Sequence, residues 1–419
     1  MMATNEAVIQ KEIQKEAASS LFKNKNFVLL WGAALLSSFG ISFFLFSQSW
    51  YIVNVLGLEA SLGLLYIASS VPRLIFMVIS GTVADRFSKT KIMYLSDMIR
   101  GLLLIGLIVW FIAGGVTLWT FVTFALFFGI LDAFFWAAEA AIVPSIVSKQ
   151  QLTRGNSVIQ MTNQTSFILA PMLAGLLIAF GNYIIVFSVT AGMLIVASVL
   201  ISFMKVGKVD EGITNTKGFW ETFKEGVLYV KSSRVLTLVI LTSIFLNLFL
   251  VGPVTMGLPL FVKHILNGSA VDFSILEAGL AGGMLMGAVI IGVLNVKKKR
   301  GLFSLVSLLI GGGAFIGLSF SDSLWEAVLM LALYGLSLSG CNIPIIAAIQ
   351  SVVDERVLGR AMGFISLASM GLVPVSFAVT SGILSLGVSI DHIMLGGAVL
   401  VVIYALFVLL TFKELRELD

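Results

Sequence analysis

Charge is what this sequence has least of: Lys, Arg, Asp and Glu make up 11% of its 419 residues, where a soluble domain carries roughly 25%. A soluble chain of this length would fold as two or three domains, each needing a charged shell. The soluble reading is therefore excluded. Cysteine is nearly absent, and Cys341 has no second cysteine to pair with, so no disulfide or thiolate metal site forms within one chain. The two histidines, His264 and His392, have no clustered ligands around them in the sequence, which leaves metal catalysis and histidine-based nucleophilic chemistry without support. Proline is scarce too, with 7 residues against 40 glycines. Glycines scattered through apolar stretches fit helices packed closely in lipid.

What remains is apolar: 58% of the chain is hydrophobic. A bilayer core needs about 20 such residues per helix, because each backbone amide must be paired within its own segment. Twelve runs qualify, near 27–55, 62–84, 91–113, 117–140, 157–180, 182–204, 235–262, 273–296, 302–320, 324–350, 358–385 and 392–412. The fold class is thus an all-α membrane protein with twelve transmembrane helices. The first run follows Lys23 and Lys25 but is too long for a signal peptide and lacks an evident cleavage site, so it reads as the first helix.

An even number of spans places both termini on one side, and the basic residues choose it. Of the 26 Lys and Arg, 23 fall in the terminal segments or in the loops after even-numbered spans. Only Lys263 falls on the opposite side, and Arg73 and Arg100 lie inside spans. Both termini are expected in the cytoplasm, in a bacterial inner or plasma membrane. The net charge of +4 reports orientation, and no nucleic acid partner is expected.

The longest interior connection, 205–234, divides the chain into a bundle at 27–204 and another at 235–412, flanked by cytoplasmic segments at 1–26 and 413–419. Loops longer than about 15 residues are uncommon within a compact domain. Its second part, Gly218 to Lys231, places Phe219, Phe223, Val227 and Val230 at helical spacing with charges between them, which predicts an amphipathic helix on the inner leaflet. The halves resemble each other in one stretch: Leu152-Thr-Arg-Gly-Asn precedes Pro171 in the fifth span, and Leu358-Gly-Arg-Ala-Met precedes Pro374 in the eleventh.

Between the second and third spans the chain reads Gly81-Thr-Val-Ala-Asp85-Arg86-Phe-Ser-Lys89-Thr-Lys91. This closely resembles motif A of the major facilitator superfamily, and the span count, central loop and basic-residue pattern agree with it. The resemblance implies two six-helix bundles that alternate access to a central cavity. It also implies a conformational switch in which Gly81, Asp85, Arg86 and Lys89 act against the start of the eleventh helix near Gly359. Physically, Gly81 permits close packing and Asp85 suits a helix N-terminus. The second-half loop, Gly292 to Gly301, keeps the glycine and basic cluster without Asp-Arg, so the switch is expected to be one-sided. Leu169-Ala-Pro171-Met-Leu-Ala-Gly175 looks like a degenerate antiporter motif, with Pro171, Gly175 and Pro374 as helix-gating positions. The stretches Gly129 to Pro144 and Ser96 to Gly101 are similar to the macrolide and multidrug efflux branch, which includes siderophore exporters.

Charges inside a span cost about 2.5–3.5 kcal/mol on insertion scales and usually line an aqueous path or pair internally. Arg73, Asp97, Arg100, Asp132 and Glu139 are such residues, and all five are candidates for proton coupling. Asp132, set among Phe134, Phe135 and Trp136, is the first choice, because desolvation favours the neutral carboxyl. The opposing reading makes Asp132 a fixed partner of Arg73 or Arg100. Glu139 lies seven residues on, on the same helical face, and reads as a residue of the inner rim. Asp97 and Arg100 suit a local pair at i, i+3.

Ser38, Ser42, Asn163, Gln164, Asn247 and Asn342 are the candidates for lining a substrate cavity, and bonding between neighbouring helices explains the same residues equally well. Gly279-Leu-Ala-Gly282-Gly283-Met-Leu-Met-Gly287 lacks the Gly-Lys-Ser/Thr ending of a phosphate loop, so close helix packing accounts for it. No cofactor is expected, and no catalytic constellation points to an enzyme. The expectation is a monomeric proton antiporter exporting amphipathic small organic molecules, with lipid as its surroundings. The alternatives are an exporter of one metabolite, such as a siderophore or lysolipid, and a receptor that binds without transport.

Overall fold

The computed structural model describes residues 21–148, 151–206, 227–294, 296, 298–353 and 355–418. The side chains of Val78, Thr82, Asp85, Arg86, Thr153 and residues 355–361 fall outside that description.

All twelve predicted spans are helices long and apolar enough to cross a membrane. The first half holds α1 (Lys25–Leu56), α2 (Leu62–Arg86), α3 (Lys89–Ile112), α4 (Leu118–Ile146), α5 (Leu152–Phe180) and α6 (Tyr183–Ser202). The second half holds α7 (Arg234–His264), α8 (Ala270–Leu294), α9 (Arg300–Ser319), α10 (Leu324–Val352), α11 (Glu355–Gly371 and Val373–Ser385) and α12 (Ile390–Thr411). Several helices run past their apolar segments: α4 continues to Ile146 and α5 begins at Leu152.

The described residues of Met1–Ser47 and Val71–Gly212 form one compact unit, and those of Gln48–Ser70 and Ile213–Asp419 form another. The end of α1 and the start of α2 therefore pack with the second half of the chain. Trp50 stacks on Phe273 at 5.6 Å and Tyr66 on Phe377 at 5.0 Å. The last turn of α1, Ile52–Leu56, is a π-helix closed by Gly57 at a φ of 64°, and Lys263 donates from Nζ to the Val53 carbonyl in that turn.

Lipid supplies no hydrophobic drive between helices, so small residues decide how closely they approach. The glycine-rich stretch of α8 does this against α10. A Cβ at Gly283 would overlap the Ala332 carbonyl, and one at Gly335 would overlap the Leu280 carbonyl. Residues 218–226 of the predicted amphipathic helix lie outside the described residues, while 227–232 are helical. Val230 is buried in the core of the second unit with Leu236, Leu305 and Val408, so this end packs against protein.

The two gating prolines differ. Pro171 sits inside an unbroken α5, whereas α11 breaks at Leu372 and restarts with Pro374 in its first turn. There proline's missing N–H costs nothing.

Candidate functional site

One face of α4 organises the first unit. Phe128, Asp132, Phe135 and Glu139 recur at i, i+4, i+7 and i+11, so they stack on one side of the helix. Arg100 of α3 is fully buried against this face, with its guanidinium 5.9 Å from the Phe128 ring and 5.5 Å from the Phe135 ring. It forms ion pairs of 3.2 Å with Asp97, one turn earlier on α3, and of 3.2 Å with Asp132. Arg73 of α2 reaches the other oxygen of Asp132 at 3.1 Å and lies 5.7 Å from the Trp136 ring. Ser37 of α1 donates to the second oxygen of Asp97.

The result is a chain of groups, Ser37, Asp97, Arg100, Asp132 and Arg73, with two positive and two negative charges. Each carboxylate is bonded at both oxygens, as a buried ion pair requires if its desolvation is to be offset. Asp132 is thus the shared partner of both arginines, and the Asp97–Arg100 pair forms as its spacing suggested.

Glu139 stands apart from this network. It is 5% exposed, so it is no solvated rim residue. Asn163 of α5 bonds it, and Ser38 of α1 donates in turn to the Asn163 Oδ1 at 2.6 Å. Its Oε1 has no hydrogen-bond partner, and among the described residues no cation forms an ion pair with it. The carboxylates of Asp97 and Asp132 both act on it electrostatically. A cavity of about 790 Å³ opens beside it, lined by Trp136, Glu139, Asn156, Gln160, Met161 and Asn163 among others. Gln160 lines this wall one turn before Gln164, and Ser42 is buried on α1 with no hydrogen-bond partner for its hydroxyl among the described residues.

The second unit has a neutral counterpart. Asn247 of α7 and Asn342 of α10 line one cavity of about 360 Å³, with Ser243, Tyr334, Ser366 and Ser369. Asn247 donates from Nδ2 to the Ser243 carbonyl at 2.8 Å. A further acid of the second unit is Glu277, which lies two turns inside α8, and its carboxylate acts on Tyr66.

The switch residues give less. A Cβ at Gly81 would meet no described atom within 4 Å, and the start of α11, against which the motif resemblance sets this glycine, has its side chains outside the description. The side chains of Asp85 and Arg86 and residue Gly359 lie outside the described side chains. Lys89 opens α3. His264 bonds Glu59, and His392 lies 3.1 Å from Asp391. Among the described residues no group of three potential metal ligands occurs.

The family model described as Major Facilitator Superfamily matches residues 30–375. Macrolide efflux protein A of Streptococcus pyogenes is 22% identical over 401 residues, covering 94% of this chain and 97% of that protein. The enterobactin exporter EntS of Salmonella choleraesuis is 23% identical over 349 residues, covering 81% of each. Among solved structures, the nucleoside transporter NupG superposes with a TM-score of 0.73 at 15% identity, over 93% of this chain and 99% of that one. A bacterial homologue of the lysosomal transporter Spinster, inward-facing and unoccupied, gives 0.70 at 16% identity, over 95% and 99%.

Proposed function

The chain belongs to the major facilitator superfamily, a transporter family, and from that premise we propose that it is a secondary active exporter of amphipathic small organic molecules driven by proton antiport. The observation that carries this reading is Glu139: a carboxyl buried in a cavity wall, held by an amide and, among the described residues, without a cation in ion-pair contact. A group so placed can take and release a proton without dismantling an ion pair. Asp132, held by two arginines, would have to break two. In this proposal Glu139 carries the coupling proton, and the network of Arg73, Asp97, Arg100 and Asp132 fixes α2, α3 and α4 around it.

Cargo binds along the polar cavity wall of α4 and α5 in the first unit, and alternating access exposes it to either side of the membrane. Gly81, Asp85, Arg86, Lys89 and Gly359 keep the switch role that the motif resemblance implies, with Pro171, Gly175 and Pro374 as points of helix adjustment. The distribution of the basic residues supports termini in the cytoplasm of a bacterial cell.

The test is transport in proteoliposomes with an imposed pH gradient. A macrolide should accumulate only with the gradient, and Glu139→Gln should abolish accumulation while leaving downhill efflux measurable. Gradient-driven accumulation that survives Glu139→Gln removes Glu139 from the mechanism. The similarity to an enterobactin exporter supports a second reading, export of one defined metabolite. A catecholate siderophore accumulating where macrolides do not would favour it.

A further inference from the structure

Helix α7 is broken between its halves by the π-helical turn Asn247–Val251, followed by Gly252 and Pro253. The break leaves backbone groups to satisfy. Pro253 has no N–H to offer the carbonyl five residues earlier, Leu248, and the N–H of Gly252, at the end of the π-turn, is open to an acceptor from another helix. A single side chain of α11 meets both needs. The Ser376 hydroxyl donates to the Leu248 carbonyl at 2.7 Å and accepts from the Gly252 N–H at 2.8 Å. Ser376 is fully buried, so water does not substitute for it. The fit depends on Gly252, where a Cβ would overlap Thr380 Oγ1 and stand 2.6 Å from the Ser376 carbonyl.

The turn held in this way begins with Asn247, whose side chain lines the neutral cavity with Asn342. An inserted residue in a helix rotates everything beyond it by about 100°, so keeping the π-turn decides which α7 side chains face the cavity. We propose that Ser376 is a positioning residue for Asn247: its two hydrogen bonds hold the broken turn of α7 and thereby set the polar wall of the second-unit cavity. Its effect on cargo rests on the reading of that cavity as part of the transport path, while its effect on α7 does not.

The sequence offers a clean probe, since Cys341 is the sole cysteine. In a Cys341→Ser, Asn247→Cys protein, the maleimide labelling rate at position 247 reads the turn directly in membranes. Ser376→Ala should change that rate about fivefold, the scale expected when a buried hydrogen bond is lost, and Ser376→Thr should restore it. Pro253→Ala returns an N–H to the Leu248 carbonyl, so it should rescue Ser376→Ala in the double variant and keep the test open if Ser376→Ala alone folds poorly. In an otherwise native chain, Ser376→Ala and Asn247→Ala should each raise the transport KM, with the double variant no worse than either. Labelling that ignores Ser376→Ala, or a Pro253→Ala variant without rescue, overturns the proposal. Wild-type protein that transports nothing while labelling responds as expected would instead refute the transport reading and leave the positioning role standing.

Discussion

Arg100 and Asp132 are joined across α3 and α4 by a 3.2 Å ion pair in which the arginine is wholly buried. The pair is the centre of a neutral network, and its value lies in completeness. Each carboxylate answers two donors, so removing the central cation leaves the fully buried Asp97 without its ion-pair partner and Asp132 with Arg73 alone.

The first prediction concerns that centre. Arg100→Met should destabilise the protein by about 3–5 kcal/mol, the cost of stranding one side of a buried pair. Thermal unfolding in detergent, read by tryptophan fluorescence, measures it. A melting temperature equal to wild type would mean that the network contributes nothing to stability.

Glu139→Gln should behave in the opposite way. Among the described residues it has no ion pair to lose, and glutamine can still bond Asn163, so the thermal midpoint should shift by less than about 1 kcal/mol equivalent. Paired with the transport assay, this separates a proton carrier from a structural acid: stability kept and accumulation lost is the expected pattern. A large drop in stability would place Glu139 in the scaffold.

The relay behind Glu139 should matter for rate. Asn163→Ala removes the donor that Ser38 orients, and a hydrogen bond to a charged group contributes about 1.5–3 kcal/mol. Gradient-driven export should fall roughly tenfold or more, while Asn163→Ser, which keeps a donor, should fall less. Equal loss in the two variants would point to packing.

Close helix approach makes a contrast within α8 and its partner α10. Gly335→Val inserts carbon into the Leu280 carbonyl and should cost at least about 1–3 kcal/mol, as overpacking does. Gly282→Ala meets no described atom within 4 Å and should stay within about 0.5 kcal/mol of wild type. Monodisperse yield and melting temperature of the two variants check the difference.

The fold class was readable from composition because lipid imposes a single solution on the backbone. Twelve apolar runs had to become twelve helices, since no other open structure pairs its amides there. The same periodicity put Asp132 and Glu139 on one face of α4 and paired Asp97 with Arg100 one turn apart. Helix-internal spacing is local, so sequence contains it.

Which acid was left free was not local. Asp132 and Glu139 look alike in sequence, each an acid among apolar residues, and Asp132 seemed the better proton carrier. Arg73 and Arg100 come from other helices, and both approach Asp132, so that among the described residues no cation pairs with Glu139. The Ser376 contact is of the same kind: Pro253 announces a missing N–H, but nothing in the chain says that a hydroxyl 128 residues from Leu248 answers it. The sequence by itself determined the twelve helices and the faces on which charges lie. Pairing between helices was decided by tertiary structure alone, because an ion pair or hydrogen bond depends on distances of a few ångströms between segments that the chain connects only remotely.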